Sequence, residues 1–118
     1  MILVDTSVWV RHLRQGDQHL VSLLDEGQVV SHPFIIGELA CGALRNRREI
    51  LALLAAVPTA TIAEHDEVLG LIESRNLYGR GIGWVDAHLI ASALMSHTPL
   101  WTLDGKLRAA AFSLRISY

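Results

Sequence analysis

The sequence predicts an α/β fold of three layers, α/β/α, around a parallel, doubly wound sheet of four to five strands, in a single domain over residues 1–118. Two observations carry this. Short strand-type runs alternate along the whole chain with longer segments of helical pattern. The first run, MILV, is apolar throughout, as in a strand buried on both faces. A chain of 118 residues suits one domain, and 51% hydrophobic residues supply a core without disulfides or structural metal.

In order, residues 1–4 form the first strand and TSVWVRHL (6–13) a helix, with Thr6 or Ser7 as cap. DQHLVSLLDEG (17–27) is a second helix, capped by Asp17 and stopped by Gly27. QVVSH (28–32) is a strand, and Pro33 suits the first turn of the next helix, which runs on through FIIGELACGAL (34–44). NRREILALLAAV (46–57) is a helix ended by Pro58, and TATI (59–62) a third strand. EHDEVLGLIESRNLYG (64–79) is an amphipathic helix with acids at its N-terminal end, where the helix dipole favours them. A loop, GRGIG, leads into WVDAHLIASALMSH (84–97), a strongly apolar helix. PLWTL (99–103) is a fourth strand, GKLRAAAF (105–112) a short helix and LRISY (114–118) a last strand.

Composition excludes several classes. A net charge of −2 argues against an indiscriminately basic nucleic-acid binder. The longest apolar stretch, residues 51–63, is too short for a membrane span and contains Pro58, and Asp5 interrupts the first apolar run, so neither a membrane partner nor a secretory signal is expected. Cys41 is the only cysteine; a buried, inert thiol in a reducing, cytoplasmic compartment is expected. The six histidines form no zinc-ligand spacing, and a structural role is expected for His88.

The chemistry lies in the acids. Of twelve, eight stand in polar segments. Asp5, Glu38, Asp86 and Asp104 are embedded in apolar ones: ILVDTSVWV, IIGELAC, GWVDAHLI and LWTLDGKL. Asp5 and Asp104 directly follow strands, while Glu38 lies in the second turn of its helix and Asp86 in the first turn of its own. Each alone has an ordinary explanation as a helix cap, a first-turn acid, a turn residue or a rim residue. Together they are expected at one crevice, at the carboxyl edge of the sheet. Carboxylates so gathered repel one another, and a hard divalent cation, Mg²⁺ or Mn²⁺, resolves that repulsion.

With these residues in view, the chain resembles the PIN-domain ribonucleases, and among them the VapC-like toxins of prokaryotic toxin–antitoxin pairs. VDTSVW, GEL, GIGWVDAHLIASAL and TLDGKL carry the resemblance, in order, over nearly the whole chain. It implies that Asp5, Glu38, Asp86 and Asp104 form the catalytic, metal-holding quartet, with Thr6 and Ser7 supporting the first aspartate. It also implies an endoribonuclease cleaving tRNA, rRNA or mRNA by metal-activated water, a homodimer, and inhibition by a cognate antitoxin. The apolar residues Val8, Val10, Leu13, Leu20, Leu23 and Leu24 would suit such a partner if exposed. Without the quartet the rest of the chain is mildly basic, and Arg80, then Arg11, are candidates for contacts to RNA phosphates, with Arg14, Arg45, Arg47 and Arg48 behind them. Trp9, Trp84 and Trp101 are expected in the core. Two alternatives are a receiver-like Mg²⁺-binding signalling domain, for which only Asp66 offers itself as phospho-acceptor, and a catalytically silent PIN interaction module.

Overall fold

The computed structural model describes all residues, 1–118. The elements are β1 (Ile2–Val4), α1 (Thr6–Gln15), α2 (Gln18–Asp25), β2 (Val29–Val30), α3 (Pro33–Ala40), α4 (Arg47–Ala56), α5 (His65–Ser74), α6 (Trp84–Ser96), β3 (Leu100–Trp101) and α7 (Gly105–Ser113). The sheet is parallel with β1 at its centre, in the order β2-β1-β3. Ile2 and Leu3 lie opposite Val29 and Val30; Leu3 and Val4 lie opposite Leu100 and Trp101.

Successive residues of a strand point to opposite faces. All three residues of β1 are buried, so the sheet is covered on both sides. Helix α3 packs on both α1 and α4, and α5 packs on α6. The core around β1 includes Val8 and Trp9 of α1, Ile35 and Leu39 of α3, Leu89 and Ile90 of α6, and Leu107 of α7.

The expected fourth and fifth strands shrink to single parallel bridges at the two edges, Ser31 with Thr59 and Leu100 with Ser117. On the first edge the Thr61 N–H turns away to the Ser96 hydroxyl at 2.8 Å, and Ile62 is exposed, so TATI pairs only at its start. On the other, Arg115 is left-handed (φ 60°), so LRISY becomes extended only near its end.

Helix ends depart from expectation for similar local reasons. Asp5, not Thr6 or Ser7, is the N-cap residue of α1. The α3 helix stops at Ala40, where Arg47 donates to the Ala40 carbonyl through Nε (3.1 Å) and Nη2 (3.0 Å) and fastens the start of α4 there. Cys41 therefore lies beyond the last buried turn and is exposed, against the expectation of a buried thiol. Helix α5 ends at Ser74, because Asn76 is left-handed (φ 52°). Trp9 is fully buried and Trp101 half-buried, but Trp84, at the first position of α6, is exposed. No helix is long and apolar enough to cross a membrane.

Candidate active site

The carboxyl ends of β1 and β3 lie side by side, because the Asp5 N–H bonds the Trp101 carbonyl at 2.9 Å. That pairing brings Asp5, which follows β1, level with Thr102 and Asp104, which follow β3. The Asp5 carboxylate does not cap α1. It is buried, and its Oδ2 accepts from the Ser7 hydroxyl and the Thr102 hydroxyl, each at 2.7 Å. Those hydroxyls accept in turn from the backbone: Ser7 from the Leu103 N–H (3.0 Å), Thr102 from the Asp104 N–H (3.1 Å). Each has a single hydrogen, and both are spent on Asp5.

The other acids are anchored one oxygen at a time. Asp86 Oδ2 accepts the Gly83 N–H at 3.0 Å, and Asp104 Oδ1 accepts the Leu107 N–H at 2.9 Å, so both serve as helix-start groups. Glu38 Oε1 accepts the Thr6 hydroxyl at 2.7 Å, which ties α3 to the first residue of α1. In all four carboxylates the second oxygen has no protein partner. The ordinary explanation and the functional one therefore apply to different atoms of the same side chains.

Electrostatics place three of them in one field. Burial pushes the Asp86 carboxyl above the usual aspartate range, and the charges of Asp5 and Asp104 push it further, against the Gly83 N–H, which lowers it. Glu38 and Asp104 are exposed and Asp86 half-buried, so the edge is open rather than enclosed. No three His, Cys, Asp or Glu side chains close tightly enough to ligate one ion directly. The donor set still fits a hard cation: the free atoms are all carboxylate oxygens, and Mg²⁺ usually keeps several waters between itself and a few carboxylates.

Of the supporting hydroxyls, Ser7 meets Asp5 directly, whereas Thr6 meets Glu38. Thr102 was not singled out in the sequence, although its place two residues before Asp104 at the end of a strand was a usable signal. The arginines are more committed than expected. Arg11 forms an ion pair with Asp17 (2.6 Å), the N-cap of α2, whose carboxyl is held low first by the Leu20 N–H and also by Arg11. Arg80 donates to the Ser113 hydroxyl at 3.1 Å, at the far end of α7. The cation lying over the GRGIG loop is Lys106: a Cβ on Gly81 would sit 2.7 Å from its Cδ and 2.9 Å from its Nζ.

The chain is similar to several known proteins. The PIN domain family model matches residues 2–113. Ribonuclease VapC32 of Mycobacterium tuberculosis, from strains CDC 1551 / Oshkosh and ATCC 25618 / H37Rv, is 50% identical over 111 residues, 93% of this chain and 90% of that protein. Among solved structures, FitAcB from Neisseria gonorrhoeae is similar with a TM-score of 0.63 at 22% identity, over 95% of this chain and 94% of that one. FitAB bound to the IR36 DNA fragment gives 0.66 at 23%, over 95% and 91%. PAE2754 from Pyrobaculum aerophilum gives 0.59 at 19%, over 92% and 78%. At these identities the structural likenesses speak for the fold.

Proposed function

The chain belongs to the PIN domain family, and from that premise we propose that it is a divalent-cation-dependent endoribonuclease, the toxin of a toxin–antitoxin pair. The observation that carries the reading is the free second oxygen on each of Asp5, Glu38, Asp86 and Asp104, at one edge of the sheet.

An RNA phosphodiester is anionic, and a bare carboxylate edge repels it. When bound, Mg²⁺ or Mn²⁺ inverts that field, polarises the phosphoryl oxygens and lowers the pKa of water. Asp5, Asp86 and Asp104 are assigned to hold the ion, directly or through water. Ser7 and Thr102 fix the Asp5 carboxylate so that Oδ1 faces outward. Glu38, oriented by Thr6, is assigned to accept the proton of the attacking water at Oε2. In-line attack leaves a 5′-phosphate and a 3′-hydroxyl. Lys106, rather than Arg11, is the cation we place nearest the phosphate path, with Arg80 behind it.

The reading extends to partners. Val8, Leu20 and Leu23 are core residues, which removes half of the apolar patch expected for a partner. What stays open is a groove lined by Val10, Leu13, Gly42 and Leu44 with Arg14 and Arg45. We assign it to the antitoxin; the homodimer and a cytoplasmic setting belong to the same proposal. The receiver alternative is weakened because Asp66 stands in the first turn of α5 rather than at a strand end.

The deciding experiment is RNA cleavage by the purified chain. Cleavage is expected with Mg²⁺ and lost with EDTA or in Asp5→Asn. Full cleavage by Asp5→Asn would overturn the assignment.

A further inference from the structure

Beside the acids stands a second feature that the chemistry above leaves unused. Phe34 is 38% exposed and Trp84 39%, a costly placement for large aromatic rings. They are fifty positions apart in sequence, yet both rings stand edge-on to the His88 imidazole, at 4.8 Å and 4.7 Å between centroids and at 69° and 84°. His65 adds a ring 5.0 Å from Trp84. The cluster is joined to the quartet by two helices. Phe34 precedes Glu38 by one turn of α3, on the same face. Trp84 opens α6 two residues before Asp86.

The cluster also holds unsatisfied polar atoms. His32 is 1% exposed, and its Nδ1 accepts the Phe34 N–H at 3.0 Å, so in the neutral ring the proton sits on Nε2, which is buried with no partner. His88 is 6% exposed, and its Nδ1 is likewise buried and unpaired. Its Nε2 makes no hydrogen bond and is not among the buried orphans, so it reaches the surface. The buried orphans are sealed from the surface, so what a ligand could meet is the exposed ring pair together with the unpaired, accessible His88 Nε2.

We propose that Phe34 and Trp84, with His88 between them, form a stacking platform that holds an unstacked nucleobase of single-stranded RNA beside the phosphodiester bound at the acidic edge. This rests on the ribonuclease reading and adds to it the residues that position the base. A nucleobase offers what the cluster lacks: a flat π face for the exposed rings and a hydrogen-bonding edge for an imidazole nitrogen. The apolar side chain of a protein partner would cover the rings but leave that nitrogen unpaired.

The test is equilibrium binding in the Asp5→Asn background, by anisotropy of a fluorescein-labelled oligouridylate and of an abasic ribose-phosphate oligomer of equal length and charge. Trp84→Ala and Phe34→Ala are each expected to weaken oligouridylate binding roughly five- to fiftyfold, with binding of the abasic oligomer unchanged. Trp84→Phe should retain most affinity, and Phe34→Leu, which keeps the apolar volume, should lose it as Phe34→Ala does. Equal losses for both oligomers would make the rings structural, and no loss for either would leave them to a protein partner; each outcome overturns the proposal. Failure of the ribonuclease reading shows separately, as absence of Mg²⁺-dependent cleavage by the parent chain.

Discussion

Thr102 donates its hydroxyl hydrogen to Asp5 at 2.7 Å, across 97 positions of sequence, and accepts the Asp104 N–H at 3.1 Å. One hydroxyl thus couples the first acid of the quartet to the last. It is itself buried, so the coupling is shielded from water.

Thr102→Val keeps the shape and removes the hydroxyl. Asp5 Oδ2 is left with one donor, and the Asp104 N–H loses its acceptor. Stability should fall by about 1–3 kcal/mol, read by urea or thermal unfolding. Cleavage should fall roughly ten- to hundredfold, as for other groups that orient a metal ligand. Thr102→Ser should restore most of both, and a fully active Thr102→Val would detach this hydroxyl from the site.

Asp5→Asn removes one of the two charges that repel Asp86. In metal-free buffer its melting temperature should match or exceed that of the parent, because the Ser7 and Thr102 hydroxyls can rotate to suit an amide. The parent should gain melting temperature on addition of Mg²⁺, since a cation that binds only the folded state stabilises it by mass action. Asp5→Asn should lose that gain. A mutant that melts far below the parent would show that Asp5 is structural.

Asp86 sets an acid limit. Its folded-state pKa is raised, by burial first and then by Asp5 and Asp104, so folding favours its protonated form. Its contribution to metal-free stability is therefore greatest at low pH and fades as pH rises from the ordinary aspartate range through the raised value. Cation binding has the opposite slope, because it requires the ionised form. The Mg²⁺-induced gain in melting temperature should weaken on acidification at a pH above that expected for an exposed aspartate, and Asp86→Asn should abolish the dependence.

His32 titrates in the other sense. Burial, with a smaller contribution from the His88 charge, lowers its folded-state pKa from 6.5 to about 4. The unfolded chain then binds the extra proton, so stability is full above pH ~6.5, falls as pH drops toward 4, and levels off below. The loss is on the order of 3 kcal/mol for a gap of this size. Its Nδ1 also receives the Phe34 N–H at the start of α3, so His32→Asn can keep that cap while it removes the titration. Acid unfolding of the variant should show a flatter limb between those two pH values.

The sequence exposed most of this arrangement. MILV followed at once by an aspartate placed the central strand and the acid at its end, and the apolar run after GRGIG located α6 and Asp86. What it could not expose depends on contacts distant in sequence. Nothing in TATI says that Thr61 will bond Ser96 instead of continuing a ladder. Nothing near Trp84 says that it will stand outside the core beside Phe34. Arg11 was legible as a free cation only until the fold set Asp17 against it. Thr102 gained its role from the pairing of β1 with β3, which hydropathy does not encode.

The pairing of the first strand with a segment near residue 100 has a temporal consequence. During synthesis, Asp5 leaves the ribosome 97 residues ahead of Thr102. A nascent chain can pair β1 with β2 but cannot close β3 onto β1 until the segment around residue 100 has cleared the exit tunnel. The acids at the sheet edge are thereby kept apart through most of the chain's synthesis, on a machine itself made of RNA.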